Sequence, residues 1–92
     1  MSRAGAARYE AFHPPEFWRH FERLPAEIQL LAKKDFELLK ENPRHPSLRL
    51  KKAGKFWTAR VGIHYRAVAK ERAEGLNWFW IGHHSEYDRL LS

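Results

Sequence analysis

Three arginines in the second half of the chain carry the side chain best suited to holding phosphate. A guanidinium group stays charged at neutral pH and can donate hydrogen bonds to two phosphate oxygens at once. In metal-free RNA cleavage the 2′-hydroxyl attacks its own phosphate, and cations stabilise the pentavalent phosphorane that forms. Arg49, Arg60 and Arg66 are therefore candidate transition-state stabilisers. For each of them the alternative is a solvated strand face.

Histidine can supply the proton transfer that such a cleavage needs, because an imidazole with an unperturbed pKa of about 6.5 works as base or acid near neutrality. His64, His83 and His84 lie in the same half of the chain, and Tyr87 could stack on a base or orient the phosphate. Alternatively, the two adjacent histidines cap the end of a strand. Tyr87 could likewise anchor the terminal segment as a core aromatic.

Positive charge is concentrated where these residues lie. The chain carries a net charge of +6, yet residues 1–42 hold seven basic and seven acidic residues, so the whole excess falls in residues 43–92. A basic surface of this kind indicates a polyanionic partner. The predicted RNA contacts are Arg49, Lys51, Lys52, Arg60 and His64.

Other classes of site lack their sequence signals. The chain has no cysteine, no HExxH motif and no glycine-rich phosphate loop, so no metal and no cofactor is expected. Its first residues lack the apolar core of a signal peptide, and no stretch approaches the ~20 apolar residues that span a bilayer. We therefore expect a cytoplasmic protein without a membrane partner.

The elements that must position these side chains follow from hydrophobic periodicity. Ninety-two residues suffice for one modest core, so we expect a flexible tail over 1–7 and a single domain over 8–92. Apolar residues at helical spacing predict two helices that meet at Pro25. Alternating or continuous apolar runs predict strands. The predicted order is a strand at 8–12, helices at 16–24 and 25–42, strands at 47–52, 56–61, 63–69 and 76–82, and a helical segment within 83–91.

This order predicts an α+β fold, in which an N-terminal strand precedes an αα-hairpin that packs on a small antiparallel sheet of three to four strands, and a short helical segment ends the chain. If the apolar strand faces meet the helices, the opposite face collects Arg49, Lys51, Arg60, His64 and Arg66. Strand alternation also predicts that His83 and His84 face opposite ways.

Three stretches in this order resemble the RelE/ParE toxin superfamily: NPRHPSLRLKK, the RVGIHYR run of 60–66 and the terminal GHHSEYD. The resemblance covers about residues 9–91, and the last stretch is similar to the end of HigB-like members. It implies a toxin of a type II toxin–antitoxin system, neutralised by a cognate antitoxin. The implied activity is that of a metal-independent endoribonuclease that cleaves mRNA on the ribosome and inhibits translation.

Residue by residue, the resemblance assigns Arg66 to the arginine that ends the YR pair, and His83, His84 and Tyr87 to the terminal catalytic residues of HigB-like toxins. The strand FWTAR lacks the lysines that RelE-like nucleases bring from this position, and Lys51 or Lys52 could reach in instead. Their absence favours the alternative of a binding protein without nuclease activity. Such a protein would be a ParE-like DNA gyrase inhibitor or an inactive homologue that only pairs with an antitoxin.

Overall fold

The computed structural model describes residues 11–91, and within them three helices and five strands follow one another in the order that the sequence predicts for an α+β fold. A 3₁₀ turn, Pro46–Leu48, joins the helical part to the sheet part. In chain order the elements are β1 (Ala11–Phe12), α1 (Pro15–Glu22), α2 (Ala26–Glu41), β2 (Lys51–Ala53), β3 (Phe56–Val61), β4 (Tyr65–Arg72), β5 (Gly75–His83) and α3 (His84–Leu91).

The sheet has the strand order β1-β5-β4-β3-β2. Neighbouring strands are antiparallel except β1, which pairs in parallel with β5 and places Ala11 opposite Leu76. The sheet is therefore mixed and has five strands in the described residues, one more than predicted. The predicted first strand is described only over Ala11–Phe12; its residues 8–10 and the predicted tail lie outside the described residues.

Proline positions both helices of the hairpin. Pro15 opens α1 and Pro25 caps α2, where a ring-fixed φ suits the start of a helix and no amide donor is lost. The buried faces of the two helices lie against one face of the sheet. Their shared core contains Phe17, Phe21, Ala32 and Leu39 from the helices and Ala59, Val61, Ala67, Ala69, Leu76, Trp78 and Ile81 from the strands.

The strand predicted at 47–52 is wrong over its first four residues. Pro46 begins a 3₁₀ turn, the His45 ring accepts a hydrogen bond from the Ser47 amide (3.2 Å), and Arg49 has a left-handed backbone with φ 47°. Only Lys51–Ala53 pair as β2. Leu48 is buried and Arg49 is exposed. The alternation of apolar and basic residues therefore reflects a turn that packs on the core, not a strand.

The strand predicted at 63–69 begins later, because residues 62–64 form the turn between β3 and β4. Gly62 takes a positive φ of 64°, which glycine adopts without a steric penalty. Ile63 is 72% exposed at this turn. The strand continues to Arg72, three residues beyond its predicted end, and the turn that follows consists of Ala73 and Glu74.

The strand predicted at 76–82 is observed as β5, an internal strand between β1 and β4. A bulge interrupts its pairing with β4, because Val68 is opposite Trp80 while Ala69 is opposite Trp78. None of the helices in the described part of the chain has the length and apolar character needed to cross a lipid bilayer.

Candidate nucleic-acid interface

Strand register places four polar side chains on the sheet face opposite to α1 and α2. Thr58 lies opposite Lys51, and Arg60 lies opposite Arg66. Directly opposed residues of antiparallel strands share a face, and residues two apart on one strand do as well. Since Ala59 and Val61 on β3 turn to the core beneath α1 and α2, Lys51, Thr58, Arg60 and Arg66 point away from these two helices.

These side chains surround a cavity of about 290 Å³, which we call the cationic cavity. Arg49, which directly follows the 3₁₀ turn and has a left-handed backbone, extends its side chain to the cavity, and Tyr87 reaches it from α3. Among the described residues no carboxylate lines it, so positive charge is uncompensated at its wall. Its lining consists of Arg49, Lys51, Thr58, Arg60, Arg66 and Tyr87.

Hydrogen bonding holds one of its three guanidinium groups and leaves a second one short of an acceptor. The Nη1 atom of Arg66 donates to the backbone oxygen of Tyr65 at 3.1 Å, which fixes the side chain beside its own strand. The Nε atom of Arg60 is buried without a hydrogen-bond partner. A buried donor of this kind gains free energy from any acceptor that enters, and a phosphate oxygen is the strongest acceptor available in RNA.

Lys52 is not brought to the cationic cavity. It is opposite Trp57, whose side chain packs against the core, so Lys52 lies on the other face of β2 from Lys51. There its Nζ atom is 3.3 Å from Oε1 of Glu71, the same oxygen that accepts a 2.9 Å hydrogen bond from Trp57 Nε1. Of the two lysines predicted to contact RNA, the structure places only Lys51 at the cavity wall.

The three candidate histidines form a separate group, the histidine cluster, made of His64, His83 and His84. His64 lies in the β3–β4 turn rather than on the strand face predicted for it. Its ring stacks at 5.9 Å from the rings of both His83 and His84, which are 4.5 Å from each other. A backbone hydrogen bond of 2.7 Å from His84 N to His64 O ties the turn to the start of α3.

The prediction that His83 and His84 face opposite ways is wrong. Strand alternation ends at His83, and His84 is already the first residue of α3, so both rings turn to the same side. Nδ1 of His83 accepts a 3.2 Å hydrogen bond from the Ser85 amide and lies 3.0 Å from Ser85 Oγ. His83 therefore caps the first turn of α3, which is the structural alternative considered for it.

The histidine cluster lies where β5 passes into α3, and none of its members lines the cationic cavity. His83 is opposite Tyr65, which packs against the core, so the His83 side chain lies on the sheet face turned to α1 and α2. There it lines a different cavity, together with Tyr65 and residues of the helical hairpin. The two groups are connected through α3, on which His84 and Tyr87 are three residues apart, a spacing that makes side chains neighbours on a helix surface.

Two features of the region were not predicted. Thr58 is 2% exposed and lines the cationic cavity; its place two residues before Arg60 on one strand was the available signal. The sequence predicts no metal site, yet His64, His83 and His84 each offer a nitrogen, all within 4.8 Å of one another. The three rings are close because the β3–β4 turn meets the end of β5. The spacing of the histidines along the sequence does not reveal this contact.

No family model matches the chain, and no curated protein sequence matches it. Solved structures do. A chain of the RelB–RelE antitoxin–toxin complex from Methanococcus jannaschii is similar with a TM-score of 0.65 and 17% identity, over 88% of this chain and 99% of that one. YafQ from E. coli strain BL21(DE3) is similar with a TM-score of 0.66 and 12% sequence identity, over 87% of this chain and 98% of that one. A mutant of the E. coli toxin RelE in the free state is similar with a TM-score of 0.64 and 14% sequence identity, over 91% of this chain and 92% of that one.

These likenesses extend over nearly the whole of each of the three chains. This chain therefore has the fold of these proteins, and the prediction drawn from the three sequence stretches is confirmed at the level of fold. Because a fold hosts more than one function, the activity has to be argued from the site.

Proposed function

We propose that this protein is the toxin of a type II toxin–antitoxin system and a metal-independent endoribonuclease that cleaves mRNA on the ribosome and thereby inhibits translation. The observation that carries the proposal is the cationic cavity, in which Arg49, Lys51, Arg60 and Arg66 gather with Tyr87 and without a carboxylate. Such a wall attracts a phosphodiester and stabilises the extra negative charge of the phosphorane.

In the proposed reaction the 2′-oxygen of one nucleotide forms a bond to its own phosphorus and the bond to the 5′-oxygen of the next nucleotide breaks. The products are a 2′,3′-cyclic phosphate and a free 5′-hydroxyl. Arg60 and Arg66, opposite each other on β3 and β4, hold the non-bridging oxygens of the scissile phosphate. Arg49 and Lys51 hold flanking phosphates, and Tyr87 stacks on a base or orients the phosphate.

A base must take the 2′-hydroxyl proton, and an acid must give one to the departing 5′-oxygen. We assign this exchange to the histidine cluster. His84 is the principal group, because it lies one helical turn from Tyr87, whereas Nδ1 of His83 is engaged with Ser85. His83 acts mainly by holding the start of α3, and through it Tyr87, in place.

The proposed partners are mRNA, the ribosome and a cognate antitoxin, which together place the protein in the cytoplasm. Toxins of the same fold from M. jannaschii and Pyrococcus horikoshii were solved in complexes with RelB antitoxins. A segment that neutralises this chain should be acidic or amphipathic, since it would cover a surface of positive charge. Co-expression with a small acidic protein encoded beside it should relieve growth inhibition and yield a complex on purification.

A second candidate function is binding without cleavage, either inhibition of DNA gyrase or pairing with an antitoxin alone. It is favoured by the composition of β3, which brings no lysine to the cavity, and by the position of Lys52 on the far face of β2. In that case the cationic cavity holds a polyanion and no proton transfer takes place.

The deciding experiment incubates the purified protein with translating ribosomes and maps new mRNA 5′ ends. The parent should cleave. Arg66→Ala should lower the rate by about 10²–10³-fold, the typical loss when one stabilising donor is removed. His84→Ala should lower it by about 10²–10⁴-fold. Both variants should melt near the parent temperature, because Arg66 and His84 lie outside the buried core.

A matched pair of lysine variants provides the control. Lys51→Ala removes a charge from the cavity wall, whereas Lys52→Ala removes the same charge from the opposite face, where it forms only a half-exposed ion pair with Glu71. Cleavage should fall for the first and stay unchanged for the second. If the parent never cleaves mRNA, the nuclease proposal is wrong, and a DNA supercoiling assay then separates gyrase inhibition from inert pairing.

A further inference from the structure

We propose that the histidine cluster is a binding site for one divalent transition-metal ion of the zinc class, held by a nitrogen each from His64, His83 and His84. The ligand nitrogens lie within 4.8 Å of one another. Imidazole is a preferred ligand of zinc, copper and nickel ions, and three histidines suffice for a tetrahedral site with one open position.

The cluster is already assembled by the backbone. The hydrogen bond from His84 N to His64 O, 2.7 Å long, joins the β3–β4 turn to the junction of β5 and α3 and so fixes the points from which the three side chains extend. Coordination requires each nitrogen to come within about 2.0–2.1 Å of the ion. The three rings are stacked, with interplanar angles of 11°, 29° and 30°, so the rings have to turn about their side-chain bonds before their in-plane lone pairs point to one ion.

A polar group that can support one metal-bound ring is also in place. Metal-binding histidines usually donate their second ring N–H to a polar group, which fixes the tautomer and orients the ring. Without metal, Nδ1 of His83 accepts the Ser85 amide and carries no proton. Coordination through Nε2 would move the proton to Nδ1, which would then give up the amide and donate to Ser85 Oγ, 3.0 Å away. His64 is exposed and neither of the other two rings is fully buried, so an ion can reach the site from solvent.

A metal ion would occupy the nitrogen lone pairs that proton transfer requires. Zinc binding and mRNA cleavage should therefore compete, a consequence that rests on the proposed function. The site itself does not rest on it, because binding is measured without RNA or ribosomes.

The test is isothermal titration calorimetry of the full chain, free of any affinity tag and stripped with chelator, against zinc chloride. We expect saturable binding of one ion per chain and a rise in melting temperature with zinc. His64→Ala should weaken binding at least about tenfold, the smallest loss usually seen even for residues that only support a ligand. Magnesium, which prefers oxygen ligands, should not bind there.

His45→Ala is the matched control. Nδ1 of His45 lies 3.2 Å from the Ser47 amide and 2.9 Å from Ser47 Oγ, the same local arrangement as His83 with Ser85, but His45 is not in the cluster. Its zinc affinity should equal that of the parent. Absence of one-to-one binding by the parent, unchanged affinity in His64→Ala, or an equal loss in His45→Ala would each overturn the proposal. The test uses His64 because it lies in an exposed turn. It does not require a variant of His83, whose ring caps α3 and whose loss could prevent folding.

Discussion

At the scale of single residues, His13 shows how an aromatic environment can convert a titratable group into part of an apolar core. Its ring lies 4.6 Å from that of Phe36, 4.7 Å from Phe17 and 5.6 Å from Trp18. Burial, with a smaller contribution from the positive charge of Lys40, lowers the pKa of His13 to about 4. The imidazole is therefore neutral at physiological pH and packs as a ring.

This lowered pKa predicts a loss of stability in acid. The unfolded chain binds the His13 proton from pH 6.5 downward, whereas the folded chain binds it only near pH 4. The free energy of unfolding should therefore fall as pH drops from 6.5 to 4, by at most about 1.4 kcal/mol per pH unit for one proton. Urea unfolding at several pH values in this window measures the slope.

His13→Phe is the comparison variant, since it keeps an aromatic ring and removes the proton. Burial raises the pKa of Asp35, which favours the folded state below that pKa and acts with the opposite sign, but it does so equally in both proteins. The difference between the two pH profiles isolates His13. Identical profiles would contradict the prediction.

At the scale of elements, the turn before β2 carries both strain and function at one residue. Arg49 has φ 47°, a left-handed conformation that costs a non-glycine residue about 1–2 kcal/mol, and its side chain lines the cationic cavity. Two substitutions can distinguish the effect of the backbone strain on stability from the effect of the side chain on binding.

Arg49→Gly and Arg49→Ala both remove the guanidinium group, but only glycine relieves the left-handed backbone. Arg49→Gly should therefore be more stable than Arg49→Ala by about 1 kcal/mol, while both weaken RNA binding alike. Thermal unfolding and RNA affinity of the two variants provide the measurements. Equal stability would mean that the turn imposes no strain, and unequal RNA affinity would mean that turn geometry rather than charge governs binding.

The same turn shows what the sequence could and could not predict. The α+β order, the helical hairpin, β3 and β5 followed from periodicity, and so did the shared face of Arg60 and Arg66. The alternation of Leu48 with Arg49 and Leu50 suits a strand and a turn packed on the core equally well, so it could not distinguish them. Pro46 with the His45 cap was the local signal for the turn.

Long-range arrangement accounts for the remaining differences. The opposite faces of Lys51 and Lys52 follow from alternation once β2 is located, but its location depended on the turn. The stacking of His83 on His84 depends on where β5 ends and α3 begins, and element boundaries are set by contacts that a local pattern does not contain. The histidine cluster additionally needs the β3–β4 turn to reach that junction.

At the scale of the whole molecule, the charge asymmetry seen in the sequence becomes a surface with one strongly basic face. If all four cations of the cavity contact phosphates, single-stranded RNA binding should weaken with salt at a logarithmic slope of about 3, given about 0.7 counterions released per contact. Filter binding or fluorescence anisotropy between 50 and 300 mM salt, about the range in which such slopes are read, gives the value.

The lysine pair refines this measurement. Lys51→Ala should reduce the slope by about 0.7, and Lys52→Ala should leave it unchanged. An affinity that is independent of salt would show that the cavity does not bind RNA through its phosphates.

The parallel pairing of β1 with β5 also governs when the molecule can finish folding. The other strand pairs join consecutive segments through short turns, whereas Ala11 must wait for Leu76, 65 residues later in the chain. Closing so long a loop costs more entropy than closing a hairpin, so the hairpins should form first and β1 should dock last. During synthesis β1 is made well before its partner strand, and Tyr87 of the cationic cavity follows that strand. A nascent chain therefore completes its sheet and its cavity together, and only after β5 and α3 have been made.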